Sequence, residues 1–482
     1  MRRLAITSLV FIALWALAAK PAGAQDVPLG FPAPPAGPVA SQNPYSGSVP
    51  SKLEPGVLQL TLKDAFARGL KQNLGVLLSS ADVTSARGAR WQQLSSLLPN
   101  LTTSSYMNGS QVDLAEFGFN FKFPPGSGFS IPSVVGPFAY FDSRAYLTQS
   151  VFDWKAINNA HAATQIVKSA QFTYKDARDL VILSVGYTYL QAVADEARVE
   201  TADAQTKTAQ TLYDQAADQV TAGTSPAIDG LRALVELKTR QQRLIQARND
   251  FAIEKLTLAR VIGLAPGQEF ELADKSPYEP FAGMTVENAL KRAYDTRSDY
   301  QAALADVRAS EYSRKAAEGG YLPSFGVSAD YGLAGTFPSI QTHGVFDARG
   351  TLTIPIFQGG RVQGDVMEAT AQLERSRERL ENIRAQIDAD VRTALLNVES
   401  GEEQVAVARS NIDLADQTLA QSQDRFRAGV TDTVEVVQAQ EAVATAHENY
   451  ISSLYTDNYA KISLARAMGA AEEGVKEYFK GN

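Results

Sequence analysis

Catalysis or ligand chemistry needs nucleophiles, bases, metal ligands or a phosphate cradle, and this chain of 482 residues is short of all of them. Its three histidines, His161, His343 and His447, stand neither beside a nucleophile nor at metal-ligand spacing. Cysteine is absent, which removes disulfides, thiolate sites and any lipid-bearing cysteine. Asp388 and Asp390 lie two apart on a predicted helix and do not face a common site. Gly359-Gly360-Arg361-Val362-Gln363-Gly364 lacks the G-x-G-x-x-G spacing of a nucleotide cradle. The sequence therefore predicts no enzyme, no cofactor and no catalytic or metal-binding residue. What it offers instead is paired charge at matched places. Asp142 and Arg144 sit in FDSRAYLTQSVF from Phe141, and Asp347 and Arg349 sit in FDARGTLTIPIF from Phe346.

Such charges need an element with two faces. Phe346, Ala348, Gly350, Leu352 and Ile354 fall on one side of an extended strand, and Asp347, Arg349, Thr351 and Thr353 on the other. A preceding run sets Phe325, Val327, Ala329, Tyr331 and Leu333 against Gly326, Ser328, Asp330 and Gly332. Alternation over roughly ten residues matches a membrane-spanning β-strand with its polar side toward a lumen, although a soluble sandwich strand has the same period. On the first reading Asp142, Arg144, Asp347 and Arg349 line a barrel lumen, while Tyr140, Tyr146, Phe325 and Tyr331 flank apolar faces of lipid length. Hairpins over about 101–152 and 324–357 give four strands. The smallest outer-membrane barrels have about eight, so a pore would require oligomerisation.

Composition narrows the setting. A net charge of −8 without a basic stripe speaks against a nucleic-acid partner, and 45% hydrophobic residues speak against wholesale disorder. Residues 1–24 carry two arginines, an apolar stretch from Leu4 to Ala19 and the small-residue site Ala22-Gly23-Ala24, as in a secretory signal cleaved before Gln25. An uncleaved membrane anchor is the competing reading. Residues 25–56 are rich in proline and are expected to form an extended periplasmic linker. No later stretch offers the roughly 20 apolar residues of a transmembrane helix, so a membrane span would have to be a closed sheet.

The chain also repeats itself. LTLKDA at Leu60 answers to MTVENA at Met284, LLP at Leu97 to YLP at Tyr321, TAGTS at Thr221 to RAGVT at Arg427, and LTLARVIG at Leu256 to ISLARAMG at Ile462. These landmarks predict a first repeat over 57–270, a connector over 271–282, a second repeat over 283–470 and a tail over 471–482. Each repeat would hold a helix, a β-hairpin and a long helical hairpin. In the second, Val391, Val398, Val405, Ile412, Leu419 and Phe426 recur every seven residues, with Ala394, Gly401, Ala408, Ala415 and Ser422 three places after the first five. That is a left-handed coiled-coil period, on a helix on the order of 100 Å long. Exposed tips are expected at about 222–226 and 428–432. There Gly223 and Gly429 stop one helix, Ser225 or Thr431 caps the next, and Pro226 suits a first helical position.

LTLKDAFARGLKQN, LLPNL, YLPSF, LTIPIFQGGRVQG and RFRAGVTDTVEVVQAQ, in this order, resemble the TolC-like outer membrane efflux proteins from about Val57 to Gly469. The resemblance implies a mixed α+β membrane protein: a homotrimer whose four strands per chain close a twelve-stranded barrel in outer-membrane lipid, continued by a periplasmic coiled-coil barrel. It implies a passive exit duct of a tripartite efflux or type I secretion system. Its tips, Gly223, Thr224, Ser225, Gly429, Val430 and Thr431, would meet a periplasmic adaptor and, through it, an inner-membrane pump. The family's tip helix often carries two acidic residues three apart at the closed end of the tunnel. Here the positions are Glu435 and Gln438, which implies a pore constriction with a weaker acidic gate. The cargo is chosen by the pump. The alternative is a periplasmic coiled-coil scaffold without a pore.

Overall fold

The computed structural model describes residues 44–119, 128, 131–274, 280–281, 283–337 and 341–472. The predicted signal, the first part of the proline-rich stretch, residues 120–127, 129–130 and 338–340 of the two expected hairpins, residues 275–279 and 282 of the connector and residues 473–482 of the tail lie outside them. In chain order the elements are β1 (Leu58–Leu60), α1 (Leu62–Gln72), α2 (Leu74–Ser95), β2 (Asn100–Asp113), β3 (Val134–Phe152), α3 (Trp154–Thr221), α4 (Ala227–Ile262), β4 (Phe270–Leu272), α5 (Val286–Thr296), α6 (Ser298–Glu318), β5 (Ser324–Phe337), β6 (Gln341–Thr353), α7 (Arg361–Arg427) and α8 (Thr433–Ala467). The chain is thus mostly helical, with one substantial sheet. Among the described residues no helix is long and apolar enough to cross a membrane.

Breaks in the helices have local causes. Asn73 adopts an extended backbone that ends α1, and its side chain accepts from the Gly75 N–H to start α2. Arg297 divides α5 from α6 in the same way but without a side-chain cap. Asp153 caps α3 by accepting from Ala156 N at 3.0 Å. Both long helices stop at a glycine in the left-handed region, Gly223 at φ +72° and Gly429 at φ +69°.

Three apolar clusters hold the helices. One joins Phe66 of α1 to Val181, Ile182 and Val185 of α3 and Leu258 of α4. Another joins Ala289 and Ala293 of α5 to Ile387, Val391 and Val398 of α7 and Leu464 of α8. The third, smaller, brings Leu212, Ala233, Phe426 and Val436 together near the helix turns. The seven-residue spacing of α7 marks its buried seam at Val391, Val398, Val405 and Phe426, while Ile412 and Leu419 are only half buried. Gly401 lets α8 approach closely there, since a Cβ would stand 3.1 Å from the Asp457 Cα.

β2, β3, β5 and β6 form one antiparallel sheet in that order, so β3 and β5 are central and β2 and β6 are its two edges. A second sheet, absent from the sequence reading, pairs β1 with β4 in parallel. Pro44–Gly56 also differs from the expected free linker. Its backbone is tied to the body by Val49 N to Gln72 O at 2.9 Å and Ser51 N to Gly263 O at 2.8 Å, and Arg68 pairs with Glu54.

Candidate functional site

The sheet has one polar and one apolar face, and the register sorts them. Directly opposed residues share a face. Leu101 lies opposite Leu147, which lies opposite Ala329 and then Ala348. Ala145 lies opposite Tyr331 and then Phe346. These, with Met107, Phe325 and Leu352, make the apolar side, and most of them are exposed. On the other side Tyr106 lies opposite Asp142, Ser104 opposite Arg144, Tyr146 opposite Asp330 and then Asp347, and Ser328 opposite Arg349. All four charges expected in the lumen therefore share the polar face. Tyr140 and Tyr146 correct the expectation. They stand in register with that polar face, while Phe325 and Tyr331 stand on the apolar one.

The two charged pairs are held differently. Asp142 is 2% exposed; it accepts from Tyr140 Oη and from Arg144 Nε, each at 3.0 Å. Arg144 also donates from Nη1 to Asp330 Oδ1 at 2.9 Å, reaching onto β5 past Gly332, its opposite residue. A Cβ at Gly332 would stand 2.1 Å from Ser143 O, so only glycine fits under that reach. Asp347 and Arg349 are 3.7 Å apart, with side chains 52% and 69% exposed. Asp330, the third member of the tight cluster, was not singled out from sequence as a charged partner. Its alternation was legible, but its place beside Arg144 depends on register.

At the other end of the helices lie the turns. Thr224 N and Oγ1 both donate to Gln219 O, at 2.9 and 3.0 Å, and close the first turn. Val430 N donates to Arg425 O at 3.0 Å and closes the second. Gly223, Thr224, Gly429 and Val430 are exposed, and Ser225 and Thr431 are half buried. The caps fall one residue later than expected. Pro226 is the N-cap residue of α4 and not its first helical residue, and Asp432, not Thr431, caps α8 by accepting from Val434 N at 3.1 Å. Ser225 and Thr431 donate instead to carboxylates one turn on, Asp229 and Glu435.

The turns are joined by a contact the sequence did not suggest. Buried Thr433 donates from Oγ1 to Asp229 Oδ1 at 2.7 Å, linking the start of α8 to the start of α4. Asp229 is legible as a first-turn acid, but its partner lies 204 residues away. Glu435 lies on the half-buried side of α8, faces Arg425 Nε at 3.3 Å and accepts from Thr431, so its charge is shared within the chain. Gln438 is exposed. Higher up, Arg240 is buried and bonds Gln205 Oε1 at 3.2 Å and Glu441 Oε2 at 2.7 Å, besides pairing with Glu236. Glu441 is further held by Arg243, and its carboxyl titrates below the ordinary range: burial opposes this, and the two arginines outweigh it.

Among the described residues no cluster of three or more histidines or carboxylates could hold a metal ion. The geometry offers a two-faced sheet at one end of long helices and paired turns at the other. Comparisons with known proteins agree with that layout. The chain is 23% identical over 360 residues to outer membrane protein TolC of Escherichia coli K12, covering 68% of this chain and 69% of that one. It is 21% identical over 444 residues to the alkaline protease secretion protein AprF of Pseudomonas aeruginosa, covering 88% and 89%. Its fold matches the outer membrane channel CmeC of Campylobacter jejuni with a TM-score of 0.73 at 16% identity, covering 86% and 89%. It matches the outer membrane protein VceC of Vibrio cholerae with a TM-score of 0.71 at 17% identity, covering 85% and 96%. A sequence model described as outer membrane efflux protein matches residues 68–264 and 289–470, most of the chain, which therefore belongs to the outer membrane efflux protein family.

Proposed function

We propose that three copies of this chain close into one tube, a twelve-stranded barrel in the outer membrane continued by a periplasmic helical barrel, and that the tube is a passive exit duct for an inner-membrane pump acting through an adaptor. The observation that carries the reading is the sheet: polar on one face, apolar and exposed on the other, and open at both edges, β2 and β6. An open apolar sheet has no stable place in hydrocarbon, and joining β6 of one copy to β2 of the next removes every edge.

The helices support the same closure. α3 packs between α4 and α8, and α8 packs against α7, which leaves α4 and α7 on the two flanks. α4 exposes Ile228, Leu231, Val235 and Ile245, and α7 exposes Leu396, Val407 and Leu414. Two different apolar flanks suit a head-to-tail ring. α3 and α4 hold 68 and 36 residues, and α7 and α8 hold 67 and 35, as two equivalent wall segments from an internal repeat require.

In this reading the turns around Gly223, Thr224, Ser225, Gly429, Val430 and Thr431 dock the adaptor, and Glu435 and Gln438 stand at the constriction. Asp142, Arg144, Asp347 and Arg349 face the barrel lumen. The mature chain should fractionate with the outer membrane, run as a trimer in mild detergent and conduct ions in planar bilayers. A soluble periplasmic monomer without conductance would favour the scaffold reading instead.

A further inference from the structure

Roughly two to six helical turns above the tips, the seam between the helical hairpins opens into a cavity of about 400 Å³ bounded by α3, α4, α7 and α8. The apolar spacing of α7 lapses at this level, where Leu419 is half buried while Val405 above and Phe426 below are buried. Leu419 and Val443 give the cavity an apolar side, and Glu200 and Asp416 give it two carboxylates that no ion pair reaches among the described residues. Arg240 also borders it, but its guanidinium is committed to Glu236 and Glu441. Gln440 lines the cavity at 6% exposure, and among the described residues neither the nitrogen nor the oxygen of its amide has a partner. Buried amides are nearly always satisfied, so a donor and acceptor left open together mark a place for something that supplies both. The volume is that of a small-molecule pocket.

We propose that this cavity binds a small organic ammonium that also carries a carboxamide. The ammonium lies toward Glu200 and Asp416, the carboxamide pairs with Gln440 as donor and acceptor at once, and the apolar body rests on Leu419 and Val443. A bound molecule would touch α3, α7 and α8 together and so fix one packing of the two hairpins. The site lies in the wall, apart from the constriction and tip residues, and goes beyond the proposed transport role.

Phenylalaninamide carries all three features and is the probe, titrated into the full mature chain in mild detergent by calorimetry. Saturable binding is expected, with N-acetylphenylalaninamide, which lacks the charge, at least about tenfold weaker, and 2-phenylethylamine, which lacks the amide, about threefold weaker or more. Asp416→Asn and Glu200→Gln should each weaken binding by about threefold or more, and Gln440→Leu should remove it. Both carboxylates are exposed, so those two variants decide the matter even where Gln440→Leu misfolds. No saturable binding, equal affinity for the acetylated analogue, or unchanged affinity in both carboxylate variants would overturn the proposal and leave a cavity filled by water. Binding is read on the purified chain whether or not it conducts, so a negative result leaves the duct reading untouched.

Discussion

Phe-Asp-x-Arg occurs in β3 and again in β6, and the two occurrences are held differently. In β3 the aspartate is buried between a tyrosine hydroxyl and an arginine, and the arginine is anchored on the next strand. In β6 the same pair is long and exposed, with no further ion pair among the described residues. The residues are alike and the neighbours differ, because β3 has a strand on each side and β6 has one. Arg144 reaches Asp330 on β5 because Gly332 leaves room, whereas Arg349 faces Ser328 on one side and the open edge on the other. A charge on a central strand is finished within the chain. A charge on an edge strand is left for whatever comes to lie beside it.

The largest test of this contrast is steric. Gly332→Ala would push a methyl to 2.1 Å from a carbonyl oxygen in the central pairing, whereas Gly350→Ala in β6 meets only the Phe325 ring at 3.4 Å. Gly332→Ala should cut the oligomer recovered from outer membranes by at least about tenfold, with Gly350→Ala close to wild type. Equal recovery of the two would break the comparison. A smaller effect is expected from the aspartates. Asp142→Asn takes a buried partner from Arg144 and should lower the thermal dissociation temperature of the oligomer by about 3 °C or more. Asp347→Asn should stay within about 1 °C.

The helices extend the contrast. Burial pushes the Asp179 carboxyl of α3 up to about 7, with Asp176 and Glu472 adding to the rise and Arg466 and Arg178 opposing it. Equally far from the end of α7 stands Ala385, which has no charge to bury. The folded chain keeps this proton to a higher pH than the unfolded chain. The burial penalty is therefore absent below about pH 4 and complete only above the folded value. Asp179→Asn should melt higher than wild type at pH 8 and with it at pH 4, and a gain of equal size at both pH values would show that the carboxylate charge is not the cause. The smallest effect belongs to the tips. Because Arg425 already faces Glu435, Glu435→Gln should change cation selectivity in planar bilayers by less than about twofold, and Gln438→Glu by more.

What could be read from sequence had a short-range or periodic cause. The seven-residue spacing marks most of the buried seam of α7, and a glycine able to take positive φ marks each helix stop. The strands were legible by their period of two, which places Asp347 and Arg349 on one face. What was not legible needed register or distance. β1 and β4 are three residues each and have no period to detect. Asp330 beside Arg144, and Thr433 on Asp229, join residues 186 and 204 positions apart. Residue type alone sets Tyr140 and Tyr146 at the flanks of the apolar faces, but parity along β3 puts them with Asp142 and Arg144. The fastening of Pro44–Gly56 was hidden because its backbone, not its side chains, makes most of the bonds.

The two open edges of the sheet also bear on heredity. If three copies close the ring as proposed, a chain that folds but offers a faulty β6 edge would spoil every ring it enters. Produced in equal amount with the wild type, it leaves about one ring in eight free of itself, so such an allele should behave as dominant. A chain stopped earlier, as by a methyl at Gly332, never presents an edge and should be recessive. Dominance in mixed expression would thus sort lesions of closure from lesions of folding without any structure being determined.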